Sequence, residues 1–128
     1  MTPRSITLIG APTDVGAADR GASMGPEALR AAGLREALVG RGLAVLDRGN
    51  LQGPINPMHP PVAGYRHLDE VTQWNRHVFE AVGGELADGR LPILLGGDHC
   101  LAIGSIGAVA AHCRRAGKRL RVLWLDAH

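Results

Sequence analysis

Three residues carry the chemistry this sequence offers most plainly: His99, Asp126 and His128. Gly96-Gly97-Asp98-His99 follows the apolar run Leu91 to Leu95, and Asp126-Ala127-His128 follows a second run, Arg121 to Leu125. Imidazole and carboxylate ligands together suit a metal of intermediate hardness such as manganese, iron or zinc. A carboxylate can also bridge two ions about 3.5 to 4 Å apart, a pairing that lowers the pKa of a shared water. Asp126 is placed to be that bridge. Residues two apart in an extended segment point to one side, so Asp126 and His128 are expected to face the same point. Asp98 is expected to support the turn or to orient a ligating histidine.

The elements that must position these residues read as alternating strands and helices. Ile6 to Ile9 is a short β-branched strand running into the loop Gly10-Ala11-Pro12. Pro26 suits the first turn of a helix that Gly33 interrupts, with Leu34 to Val39 as a second piece. Leu43 to Leu46 is a second strand, and the proline-rich stretch from Asn50 to Pro61 is a surface loop. From Leu68, the spacing of Val71, Asn75, Val78, Val82 and Leu86 predicts an amphipathic helix of about five turns. A strand at 91–95, an apolar helix from about Leu101 to Arg115 and a strand at 121–125 complete the pattern. Such alternation implies a parallel sheet. Between His99 and Asp126 lie 26 residues, room for one crossover, so the last two strand ends are expected to be neighbours. The carboxyl edge of such a sheet is where ligands collect. Trp124 is read as a core residue of the last strand, His59 and His67 as solvated, and Asp14 as a turn residue.

The wider composition narrows the class. The chain has 128 residues, a formal charge of +2, 45% hydrophobic and 20% charged residues, which suits one soluble domain or part of one. The basic cluster Arg114, Arg115, Lys118, Arg119 and Arg121 sits at a helix end and lacks interleaved aromatics, which argues against nucleic acid as a partner. No segment approaches the ~20 apolar residues of a membrane span, and no signal peptide is evident. Cys100 and Cys113 lie at opposite ends of one helix, too far apart to bridge, so reduced thiols and a cytoplasmic setting are expected.

Four segments together resemble the ureohydrolase family. They are Ile9-Gly-Ala-Pro-Thr-Asp-Val-Gly16, the pair Arg20-Gly21 with Gly25-Pro-Glu-Ala-Leu-Arg30, Gly96-Gly-Asp-His-Cys-Leu-Ala-Ile-Gly-Ser-Ile106, and Trp124-Leu-Asp-Ala-His128. The run Leu-Ala-Ile-Gly-Ser after His99 is more similar to arginases than to agmatinases. The resemblance implies a three-layer α/β/α fold with a mostly parallel sheet, incomplete in this chain, so that residues 1–128 are the amino-terminal part of a single catalytic domain. It implies two Mn2+ ions per complete active site, with His99 on one ion, Asp126 bridging and His128 on the other, and the loop from Asp14 to Gly25 at the rim of the pocket. It further implies hydrolysis of L-arginine to L-ornithine and urea, as in arginine catabolism and the urea cycle, and a trimer or hexamer when complete.

Two departures from the family pattern bear on this. Cys100 stands where serine is common, a change a small packed thiol can accommodate. The family pattern continues past Asp-Ala-His with further aspartate ligands and a catalytic histidine, so no catalytic residue is assigned within this chain, its substrate-binding residues are left unassigned, and the 128 residues alone are expected to be inactive. The rivals are another ureohydrolase acting on a different guanidino compound (agmatinase, guanidinobutyrase or formimidoylglutamase) and a short non-catalytic partner protein. A nucleotide-binding module fits poorly, because Gly10 to Gly16 lacks the Gly-x-Gly-x-x-Gly spacing.

Overall fold

A computed structural model describes residues 5–127. The elements in chain order are β1 (Ser5–Ala11), α1 (Gly25–Ala31), α2 (Leu34–Val39), β2 (Ala44–Asn50), α3 (Leu68–Ala87), β3 (Leu91–Gly96) and α4 (Ala102–Arg115). Single 3-10 turns at Ala22–Met24 and His99–Leu101 lead into α1 and α4. The three strands form a parallel sheet in the order β2-β1-β3.

β1 is central and buried along nearly its whole length because it is covered on both faces. Its side chains alternate with the period of two that a strand imposes. Ile6 and Leu8 pack with Leu34, Leu38 and Val45 on the face of α2, while Ile9 and Ala11 pack with Trp74, Val78 and Leu101 on the face of α3 and α4. That places helices above and below one parallel sheet, the three-layer arrangement expected from the sequence.

The amphipathic stripe of α3 behaves as its spacing requires. Trp74, Val78 and Val82 are buried, and Asn75 joins them because its carbonyl oxygen accepts from Gly104 N at 2.7 Å while its amide donates to Val71 O. Gly83 and Gly84 do not break the helix, since burial of that stripe against the sheet outweighs a glycine penalty of about 1 kcal/mol each. Near the amino-terminal end of the strands, Glu85 accepts hydrogen bonds from Thr7 Oγ1 (2.8 Å), Arg48 Nε (3.0 Å) and Arg90 Nε. One buried carboxylate thus ties α3 to β1, to β2 and to the turn before β3.

β2 runs further than its apolar letters suggest. Its pairing with β1 passes from Leu8↔Asp47 to Gly10↔Asn50, so that two residues of β2 stand opposite one of β1, with Gly49 at φ 74°. This bulge turns Asp47 and Asn50 toward α1, where Arg30 donates to both oxygens of Asp47 at 2.9 Å and to Asn50 Oδ1 at 2.6 Å. α1 is held to the carboxyl end of β2 by that bidentate pair.

The expected strand at 121–125 does not form among the described residues. Residues 118–127 join no ladder, and Leu123 and Leu125 are 83% and 96% exposed. Apolar letters supply side chains for burial but not backbone partners. A strand exists only where a neighbour satisfies its N–H and C=O groups. His99 and Asp126 are therefore not carried on adjacent strand ends of one sheet. Trp124, expected in the core, is 54% exposed.

Candidate functional site

His99 enters through the turn that follows β3. Gly97 has φ 96°, and a Cβ built on it would press on the carbonyl oxygens of Ala11 and Thr13 and on Leu101, so the turn is available to glycine only. Asp98 then caps the 3-10 turn: its Oδ1 accepts from Cys100 N at 2.9 Å. Its Oδ2 accepts from Gly16 N at 2.7 Å, and its own N–H donates to Thr13 O at 3.1 Å. The loop after β1 and the turn after β3 are interlocked through this one residue.

Asp126 arrives by a different route. The segment after α4 folds back across β3 and α4, and Leu120, Val122 and Leu123 border a shallow apolar groove with Leu94, Ile106 and Val109. This carries Asp126 Oδ2 to 3.8 Å from His99 Nδ1. Trp124 touches both residues. Its ring meets that of His99 edge to face, with centroids 5.7 Å apart at 78°, and its Nε1 donates to Asp126 Oδ2 at 3.1 Å. His99 and Asp126 thus meet without the adjacent strand ends expected for them; His128 lies outside the described residues.

The donor set suits a metal ion. Imidazole nitrogen and carboxylate oxygen each bind a first-row ion at about 2.0 to 2.2 Å, so two donors on one ion are at most roughly 4.3 Å apart. The 3.8 Å separation falls inside that limit. Among the described residues no cluster of three or more His, Cys, Asp and Glu side chains forms; of the set read from the sequence they contain His99 and Asp126.

Cys100 shows how closely this corner is packed. Burial, followed by its contact with Asp98, pushes the thiol up to about 12. A neutral, partly buried thiol against Gly16 is the packing role expected of it, and both cysteines are free.

Beside this corner, the loop after β1 walls a cavity of about 640 Å³ lined by Thr13, Asp14, Arg20, Ser23, Asn56 and Trp74. Asp14 is buried, which raises its carboxyl, but hydrogen bonds from Gly21 N, Asn56 Nδ2 and Ser23 Oγ outweigh burial and leave it below the ordinary value. The loop from Asp14 to Gly25 is thus pinned at both ends, by Asp14 and by the close approach of Gly25 to the Gly96 carbonyl oxygen, where any Cβ would collide. His67, expected to be solvated, is instead 8% exposed. Its Nδ1 contacts Val15 O at 2.6 Å and its Nε2 lies 3.0 Å from His59 N, fastening the 51–67 loop to the loop after β1.

An α/β protein with a parallel sheet and a histidine–carboxylate pair at the carboxyl end of its strands is the class this geometry defines. The chain belongs to the arginase family, whose family model matches residues 4–128. An arginase of Staphylococcus aureus is 36% identical over 128 residues, covering 98% of this chain and 41% of the relative. An arginase of Brevibacillus brevis is 36% identical over 125 residues, with the same coverage. Among solved structures, the arginase of Bacillus caldovelox superposes with a TM-score of 0.77 at 36% identity, covering 88% of this chain and 38% of that one. A hypothetical agmatinase of Burkholderia thailandensis shares the fold, with a TM-score of 0.63 at 23% identity. The chain spans about two fifths of the length of the curated relatives it matches.

Proposed function

We propose that residues 1–128 are the amino-terminal part of a single ureohydrolase domain of arginase type, which hydrolyses L-arginine to L-ornithine and urea. The observation that carries this is the meeting of His99 Nδ1 and Asp126 Oδ2 at 3.8 Å, from two segments separated by the whole of α4. His99, Asp126 and His128 would hold manganese, with Asp126 as the carboxylate shared between two ions. Bound there, the metal pair would lower the pKa of water enough to supply hydroxide near neutral pH.

The chain's own residues support that role in distinct ways. Trp124 orients Asp126 by donating its indole N–H to Oδ2, and its ring limits the positions His99 can adopt. The loop after β1 brings Arg20 and Ser23, and the loop after β2 brings Asn56, to a cavity at the same edge, as a substrate rim would require. No helix among the described residues is long and apolar enough to cross a membrane. A cytoplasmic enzyme that assembles as a trimer or hexamer is consistent with this reading.

The test is urea release by the complete polypeptide with Mn2+, using L-arginine, agmatine and 4-guanidinobutyrate in parallel. The arginase reading predicts the largest kcat/KM for L-arginine and loss of turnover on chelation. A preference for agmatine or guanidinobutyrate would move the protein to another ureohydrolase. The 128-residue chain alone is expected to release no urea, because the family pattern it resembles continues past Asp126-Ala-His128 with further aspartate ligands and a catalytic histidine.

A further inference from the structure

We propose that Asp98 is a positioning residue for the metal site, a clasp that fixes where His99 presents its ring by locking the turn after β3 to the loop after β1. The inference rests on His99 being a ligand, and it concerns a residue that acts through the backbone of its neighbour. Of the hydrogen bonds Asp98 makes, three tie it to different places. Oδ1 accepts from Cys100 N at 2.9 Å, Oδ2 accepts from Gly16 N at 2.7 Å, and its N–H donates to Thr13 O at 3.1 Å. The bond to Thr13 O is made by the backbone and does not depend on the side chain, but a neutral side chain at this position cannot reproduce the other two. Two backbone N–H groups point at two carboxylate oxygens, so an amide would turn its own NH2 toward one of the donors.

The surroundings show how the clasp reaches the ring. His99 is the first residue of a three-residue 3-10 turn, so its backbone sets the direction from which the ring meets Trp124 and Asp126. That backbone is set by Asp98 on one side and by the start of α4 on the other. The clasp also reaches the cavity: Gly16 follows Asp14 by two residues, and Asp14 in turn holds Gly21 N and Ser23 Oγ of the cavity wall. Asp98 therefore links the position of His99 to the loop expected to form the substrate rim.

The experiment uses the complete, isotope-labelled polypeptide and three variants. Asp98→Asn keeps the shape and loses one acceptor. Asp98→Ser keeps a hydroxyl that can cap Cys100 N but is too short for Gly16. Ile6→Ala lowers stability from the core on the α2 face of the sheet, without touching the clasp. Mn2+ is titrated and the paramagnetic broadening of the His99 resonances is followed, and the His99–Trp124 ring cross-peak is recorded without metal. The clasp predicts a 10- to 100-fold weaker Mn2+ midpoint in both Asp98 variants and a change under twofold in Ile6→Ala. It also predicts loss of the metal-free cross-peak in both Asp98 variants and its retention in Ile6→Ala. An unchanged midpoint in Asp98→Asn would overturn it, as would equal weakening in Ile6→Ala, which would trace the effect to stability. Absence of broadening at His99 in the unaltered protein would instead sink the metal reading, and the cross-peak would then decide the clasp by itself, retention in Asp98→Asn refuting it.

Discussion

Replacing Glu85 with glutamine tests whether α3 is held to the sheet by charge. The Glu85 carboxylate is buried, with 9% of its side chain exposed, and the Arg90 guanidinium, then the Thr7 hydroxyl and Arg48, hold it down to about 2 against an ordinary 4.5. A depression of that size corresponds to roughly 3 kcal/mol of stability at neutral pH. Arg48 is half exposed and its share is screened by solvent, so about 2 kcal/mol is the working figure. The sign follows from the depressed pKa. The contribution is fully present above the unfolded-state value near 4.5 and is lost as pH falls from there toward 2. Urea denaturation of the parent and of Glu85→Gln, run from pH 7 to pH 2.5, should therefore show a gap of about 2 kcal/mol at pH 7 that narrows steadily below pH 4.5. A gap that stays constant across that range would refute the electrostatic account and leave only a shape effect. A gap below about 0.5 kcal/mol at pH 7 would show that desolvation cancels the pairing.

Three further outcomes follow from the same geometry. Asp47→Asn removes one half of the bidentate pair with Arg30 and should lower stability by about 1 to 3 kcal/mol, read by thermal denaturation, with Arg30→Lys doing nearly the same because lysine lacks the fork. Cys100, with its thiol pushed up to about 12, should resist iodoacetamide at pH 8 in the native protein and react once urea unfolds it, as mass spectrometry of the labelled peptide would show; rapid native labelling would contradict the packing. Leu123→Asp together with Leu125→Asp should reduce self-association of the 128-residue chain in sedimentation with under about 0.5 kcal/mol change in stability, since both side chains are almost wholly exposed.

Much of this architecture is legible in the letters because it rests on local periodicity. Val71, Val78 and Val82 step along one face of α3, and the alternation of Ile6 and Leu8 against Ile9 and Ala11 places helices on both faces of β1. Pro26 and Gly33 mark the bounds of α1 without reference to the rest of the chain. The segment Arg121 to Leu125 misled for the opposite reason. Its composition is that of a buried strand, yet strand formation depends on a partner, and composition carries no information about which partner is present. β2 was read too short because a bulge, not hydrophobicity, extends it to Asn50.

At the candidate site, residue type singles out His99 and Asp126, since only a few side chains suit a metal edge after two apolar runs. The roles of Asp98, His67 and Asp14 as fasteners between loops were far less visible. Each works through backbone atoms, Asp98 and His67 through Gly16 and Val15 of another segment and Asp14 through Gly21 of its own loop, and backbone atoms leave no mark on the sequence. The tendency of aspartate to bond the N–H two residues on was the one available signal, and in Asp98 it accounts for the cap on Cys100 but not for the clasp on Gly16.

Pulsed electron paramagnetic resonance on the Mn2+-loaded complete polypeptide asks whether His99 and Asp126 belong to one metal site. A shared site predicts an imidazole nitrogen coupling to Mn2+ that weakens or disappears in His99→Gln while the protein remains folded. A coupling identical in His99→Gln and in the parent would place the metal elsewhere and remove the basis for the proposed activity.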